Sequence, residues 1–297
     1  MSQPHPSVRP TLRVQYGLLF GLVAMLATIG CGPPPGEGGH RRALALTPQQ
    51  ELALGRQAYQ EVLSHPDKYG LPLTSDTPEV QETRHVTGRL IHAIGNQWLQ
   101  QRLEPLGVQV QGYYFEWQAT VLKNPQVNAF CLPGGKIAVF TGIFKVAEND
   151  DQLATVLAHE IGHALAHHTS ERLARDQRTR QIVDIFGGIA GGMDPRTRQM
   201  VLGAVGLYGK RYDRRQESDA DHIGLYLMTF AGYDPRQAVL FWESMARRAG
   251  AGSVPAILSD HPSDAQRIQD LQRWVPEVLE AKRQYDQQRA VAMHTGP

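Results

Sequence analysis

Two histidines four residues apart, with an acidic residue beside the first, form the densest piece of chemistry in this sequence: His159-Glu160-Ile161-Gly162-His163. Residues on an α-helix advance about 100° each, so positions four apart stand one turn apart on nearly the same face. Both imidazoles can then reach one cation. Glu160 lies about 60° from His163 around the axis, where it can hold a water without ligating. Two imidazoles with a neighbouring carboxylate base make the helical zinc pattern that activates water for hydrolysis. The five residues alone are a weak signal, because a chain of this length and His content carries them by chance roughly once in forty sequences.

A third ligand carries more weight. His167 continues the spacing but lies about 12 Å along the axis from His159, and one straight helix cannot aim three rings at one ion. A histidine ten residues after the first would serve, but Thr169 stands there. Glu217-Ser-Asp-Ala-Asp221 offers a glutamate from a later helix, with Glu217 and Asp221 on one face. Glu217 would ligate, and Asp221 would accept the spare ring N–H of a ligand histidine, orienting it and raising its basicity. Without the histidine pair such an acidic cluster would be ordinary solvated surface.

Several elements must position these residues. Asn149-Asp-Asp-Gln152 reads as a capping box opening the motif helix, and Leu153, Val156, Leu157, Ile161 and Ala164 form a core-facing stripe that makes the helix amphipathic. Gly162 at mid-helix costs about 1 kcal/mol relative to alanine; either another element packs tightly behind the motif, or the glycine is simply tolerated. Thr47-Pro-Gln-Gln-Glu51 opens a helix running to about residue 63, and a second helix is predicted over 78–101. Strand character covers 113–122, 126–131 and 136–141, with Leu132-Pro-Gly-Gly135 as a hairpin turn. From Asp150 onward the pattern is mostly helical. The segment 182–210 carries seven glycines, and Asp184, Asp194, Arg196 and Arg198 interrupt it. Those charges exclude a bilayer span and leave two small-residue helices near the cleft: a packed pair, a flap, or a membrane-surface element. The order predicts one α+β domain, mostly helical and zincin-like, with a small antiparallel sheet next to the motif helix.

Composition narrows the function classes. Lys and Arg total 30 against 29 Asp and Glu, a net charge of +1 that gives no electrostatic case for nucleic-acid binding. The two cysteines, Cys31 and Cys131, exclude a disulfide scaffold and an all-cysteine metal cage. Cys131 reads as a core residue. Arg9 and Arg13, an apolar run from Tyr16 to Ile29, and Gly30-Cys31 resemble a lipoprotein signal over 1–30 with Cys31 acylated. An uncleaved anchor and a simple secretory signal are the alternatives. Residues 31–46 are a Pro/Gly-rich tether, 47–275 the predicted catalytic domain, and 276–297 a C-terminal helix and tail. A lipid anchor would hold the protein to a membrane in the periplasm, at the outer membrane in preference to the inner.

His159–His163 followed by Glu217-x-x-Ala-Asp221 and Gly224 resembles the gluzincin metallopeptidases of the HtpX, BepA and LoiP type. Asn128-Ala129-Phe130 before Pro133-Gly134-Gly135, Tyr212 to Gln216, and His261-Pro262 with Arg267-Ile268 agree with it. Asp219 stands where such proteins commonly have Glu, and Asp213 where Ser is common. The resemblance implies one zinc ion per chain on His159, His163 and Glu217, with Glu160 as general base. It also implies unfolded or misassembled cell-envelope proteins as substrates, bound by strand pairing along Asn128, Ala129 and Phe130. His261 would donate to the oxyanion, join the metal as an extra ligand, or serve structure. The competing reading is a non-catalytic, chaperone-like assembly factor with a structural zinc site. Glu160 separates the two, since structural zinc needs no positioned base.

Overall fold

Thr47 opens the first helix, α1 (Pro48–Ser64), through a reciprocal capping box with Gln50 and a proline in the first turn. This computed structural model describes residues 44, 46–175, 212–252, 254–261 and 265–294. The signal segment with Cys31, most of the tether and the glycine-rich stretch 182–210 lie outside the described residues.

After the short α2 (Pro66–Tyr69) come α3 (Pro78–Ile94) and α4 (Gln97–Leu103). The single helix expected over 78–101 is thus two. Asn96 leaves the helical region at φ −77°, ψ 112°, and its side chain accepts from Leu99 N at 3.1 Å. A local cap competes successfully with the apolar periodicity on either side.

Three strands follow: β1 (Gln118–Leu122), β2 (Ala129–Leu132) and β3 (Lys136–Phe140), in the order β1-β3-β2. The β2–β3 hairpin is antiparallel as expected, but β1 runs parallel to β3, so the sheet is mixed rather than wholly antiparallel. The residues between β1 and β2 cross the end of β3 to reach the opposite edge, a span of about 10 Å. Gly142, just past β3, permits this crossing, since a Cβ there would lie 2.1 Å from Gln126 O. Regular β1 starts later than expected because β3 reaches back only to Lys136. Glu116 N pairs instead with Gly134 O of the hairpin turn, at 2.8 Å.

The helical half comprises α5 (Asp150–Leu165), α6 (His168–Arg175), α7 (Arg214–Phe230), α8 (Arg236–Gly250), α9 (Ile257–Asp260) and α10 (Ala265–His294). Asn149 caps α5 by accepting from Gln152 N at 2.9 Å. Both faces expected of α5 are present, but every residue from Gln152 to Leu165 is buried, so neither face meets solvent. Its apolar stripe lies in the main core with Ile223 and Phe241, while its polar edge is enclosed among side chains that satisfy it. Gly162 and Gly224 let α5 and α7 cross closely: a Cβ at Gly162 would lie 2.8 Å from Ala220 O, and one at Gly224 3.1 Å from His159 N. Beyond the end of α5, His167 adopts a left-handed φ of 53° and turns the chain into α6. Among the described residues, no helix is long and apolar enough to cross a membrane.

Candidate metal centre

Four buried side chains from three elements converge. His159 and His163 come from α5, Glu217 from the first turn of α7, and His261 from the residue that ends α9. Each contributes one ligand-type atom, and all four atoms lie within 4.8 Å of one another. His159 Nε2 is 3.1 Å from both His163 Nε2 and His261 Nδ1. Glu217 Oε1 lies 2.9 Å from His261 Nδ1 and 3.4 Å from His163 Nε2, while its Oε2 is 3.5 Å from His159 Nε2. Bonds of about 2.0–2.1 Å to one tetrahedral ion would place ligand atoms about 3.3 Å apart, so these donors fit a single cation. Glu217 Oε2 and Glu160 Oε1, both buried, have no well-aligned hydrogen bond. With neutral imidazoles, the buried Glu160, Glu217 and Asp221 outweigh the one buried guanidinium of Arg267 by two negative charges, which a divalent ion would balance. The cluster can therefore hold a metal.

Local sequence explains the placement. Asp213 caps α7 by accepting from Gln216 N at 2.8 Å, so Asp there does what Ser commonly does. The close α5–α7 crossing then brings Glu217 to the histidine pair. His261 is held because its own N donates to Ile257 O at 2.8 Å, and Ile257 N donates to Val127 O at 2.9 Å.

Around these donors lie the orienting groups. His159 Nδ1 meets Asp221 Oδ1 at 2.8 Å, and Asp221 accepts twice from Arg267, at 2.6 and 2.7 Å. Arg267 also reaches Glu217 Oε2 at 3.2 Å and lies 3.5 Å above the Trp242 ring. Tyr212 stacks on His163 with ring centres 3.8 Å apart, and Arg172 lies 4.0 Å from the Tyr212 ring. Arg267, Tyr212 and His168 had no role in the reading of the sequence beyond motif agreement for the first two. An isolated Arg or Tyr far along the chain carries no spacing signal.

Glu160 is 2% exposed. Its Oε2 accepts from Cys131 N at 3.3 Å, and its Oε1 lies 3.3 Å from His261 Nε2. Burial, helped by Glu217, raises its carboxyl above the ordinary range. Burial would raise Glu217 too, but His261, His163 and His159 outweigh it and hold that carboxyl well below the usual value. Burial pushes His163 well below the ordinary imidazole range, toward the neutral form that ligates metals. Burial would lower His261 as well, but Glu217 and Glu160 raise it to about 9.

Ala129 and Cys131 are buried on β2, the strand at one edge of the sheet. Phe130 faces the other way, packing edge-on against Phe140 with ring centres 6.0 Å apart. The Asn128 side chain accepts from Ala129 N and bonds Asp260, the neighbour of His261. Cys131 is free and buried, as its core reading requires. His167 stands apart from the donors, with Nδ1 2.7 Å from Glu51 Oε2 and Nε2 3.1 Å from Gln109 O.

A mostly helical α+β domain with imidazole and carboxylate donors split between two crossing helices defines the zincin-like class of metallopeptidase fold. Residues 93–275 match the model of Peptidase family M48, and the chain belongs to that family. It is 33% identical over 229 residues to the mitochondrial metalloendopeptidase OMA1 of Schizosaccharomyces pombe, covering 77% of this chain and 62% of that one. The Saccharomyces cerevisiae protein of the same name is 34% identical over 178 residues, 58% of this chain and 50% of that one. The beta-barrel assembly-enhancing protease of Escherichia coli is 30% identical over 158 residues, 50% of this chain and 32% of its own. The chain thus spans between about a third and six tenths of these relatives' lengths.

Proposed function

We propose that the chain is a zinc-dependent endopeptidase that hydrolyses peptide bonds of misfolded or unassembled cell-envelope proteins, anchored to a membrane through lipid on Cys31. The observation that carries the catalytic part is Glu160, a buried carboxylate on the same helix as the two donor histidines but outside the donor set. A metal serving structure alone would not need it, which disfavours the assembly-factor reading.

His159, His163 and Glu217 would hold one zinc ion, with Asp221 fixing the His159 ring. Bound there, the ion would supply Lewis-acid polarisation of the scissile carbonyl and lower the pKa of a water toward about 7. Glu160 accepts the proton of the attacking water and hands it to the departing amine. Its burial strengthens it as a base, because a raised carboxyl pKa means higher proton affinity. His261 Nδ1, 3.1 Å from His159 Nε2 and 2.9 Å from Glu217 Oε1, is close enough to act as an extra donor once its ring loses a proton. Extended substrate would pair main chain to main chain along Asn128–Cys131, a sequence-tolerant mode suited to unfolded chains.

Casein digestion by the zinc-loaded chain tests the reading. Cleavage should stop with a chelator and in Glu160→Gln, which should keep its zinc. Hydrolysis by zinc-retaining Glu160→Gln would refute the general base. Zinc-loaded protein with no chelator-sensitive cleavage would favour the assembly factor.

A further inference from the structure

His163 has a buried partner of its own, and it is another imidazole. While its Nε2 joins the donor cluster, its Nδ1 lies 2.8 Å from His168 Nδ1. A hydrogen bond between two ring nitrogens needs one donor and one acceptor. Ligation through Nε2 uses that nitrogen's lone pair, so His163 carries its proton on Nδ1 and donates. His168 Nδ1 then accepts, and in the neutral ring its own proton resides on Nε2, 3.8 Å from Asp219 Oδ2.

The placement of His168 is built into the chain. The left-handed turn at His167 starts α6 at His168, which is 0% exposed. Gln216, the residue before Glu217, donates to His168 O at 3.2 Å and to Glu171 Oε2 at 2.9 Å, tying α6 to the first turn of α7. That turn and the next supply Glu217, then Asp219, then Asp221. Asp221 meets His159 directly at 2.8 Å, whereas the Asp219 carboxylate stays 3.8 Å from His168 Nε2.

We propose that His168 is a positioning residue for His163: by accepting its Nδ1–H, it fixes the tautomer and ring plane that present Nε2 to a metal ion. The proposal rests on the reading of His163 as a metal ligand. It accounts for a buried histidine five residues past His163 that supplies no ligand itself.

Asparagine and glutamine at position 168 separate the two ring nitrogens. The Asn amide oxygen occupies the place of Nδ1, and the Gln amide reaches the place of Nε2. Zinc affinity of the full chain is measured by competition with a chromogenic chelator, alongside the visible spectrum of the cobalt-substituted protein. His168→Asn should bind within about threefold of the unaltered chain and keep its cobalt spectrum; His168→Gln should bind about 10–100-fold more weakly and shift it. Gln binding as tightly as His with the same spectrum would overturn the proposal, as would Asn binding as weakly as Gln in protein with an unchanged melting temperature. Failure of the unaltered chain to bind one zinc would instead bring down the ligand assignment, and this proposal with it.

Discussion

Gly162 on α5 and the backbone of Ala220 on α7 leave no room for a side chain between them: a Cβ at Gly162 would lie 2.8 Å from Ala220 O. The distance between those two helices sets whether Glu217 reaches His159 and His163. Gly162→Ala gains about 1 kcal/mol of helix propensity but meets fixed backbone, and overpacking of this kind costs about 1–3 kcal/mol. The expected result is net loss of stability with weaker zinc binding, measured by denaturant unfolding and chelator competition. Gly88→Ala on α3 is the control. Nothing lies within 4 Å of a Cβ there, so the propensity gain should appear as stabilisation of about 0.5–1 kcal/mol.

Arg267 is the one guanidinium enclosed with Asp221 and Glu217 among the described residues of the site. Arg267→Met removes it while keeping much of the packing against Trp242. Breaking a buried pair of this kind costs about 3–5 kcal/mol. The loss should be largest in chelator and partly recovered with zinc, because the ion supplies positive charge beside the same carboxylates. Unfolding curves of both proteins with zinc and with chelator give the comparison.

Chelation should itself destabilise the unaltered chain. An ion that binds only the folded state contributes about 4 kcal/mol at a free concentration a thousandfold above Kd. Thermal melts at rising free zinc should move upward. A melting temperature independent of zinc would contradict a preformed site.

Glu277 on α10 accepts from Tyr226 OH at 2.7 Å, and His222 Nε2 lies 3.0 Å away. His222 also stacks on Trp274 with ring centres 4.3 Å apart, so α10 is fastened to the helix that carries Glu217. The bond with His222 comes first, then that from Tyr226, in holding the Glu277 carboxyl below its ordinary value. A depressed folded-state pKa contributes stability above the unfolded pKa of about 4.3, and that contribution is lost as pH falls through the folded value. The stability difference between the unaltered chain and Glu277→Gln should therefore shrink as pH falls through the folded value of the Glu277 carboxyl. Urea unfolding at stepped pH measures it, and a difference that grew on acidification would contradict the assignment.

How much of this was legible in the sequence depended on the range of the signal. His159, Glu160 and His163 are readable because helix geometry makes spacing equivalent to direction. Glu217 and Asp221 are readable by the same rule, although their meeting with α5 is a long-range event hinted at only by Gly162. The parallel pairing of β1 was not readable, since strand order depends on a loop crossing the end of β3 and not on alternation within a strand. The break at Asn96 was present as a cap residue but hidden by apolar periodicity on both sides. His168 follows a residue at positive φ, so no helical wheel drawn through His163 could place its ring. Arg267 becomes informative only once α10 lies against Trp242.

Anomalous diffraction at the zinc edge, on crystals of the zinc-loaded chain, tests the central claim most directly. One peak per chain is expected within about 2.0–2.2 Å of His159 Nε2, His163 Nε2 and an oxygen of Glu217. A peak elsewhere, or one at the histidines with Glu217 outside bonding range, would contradict the account.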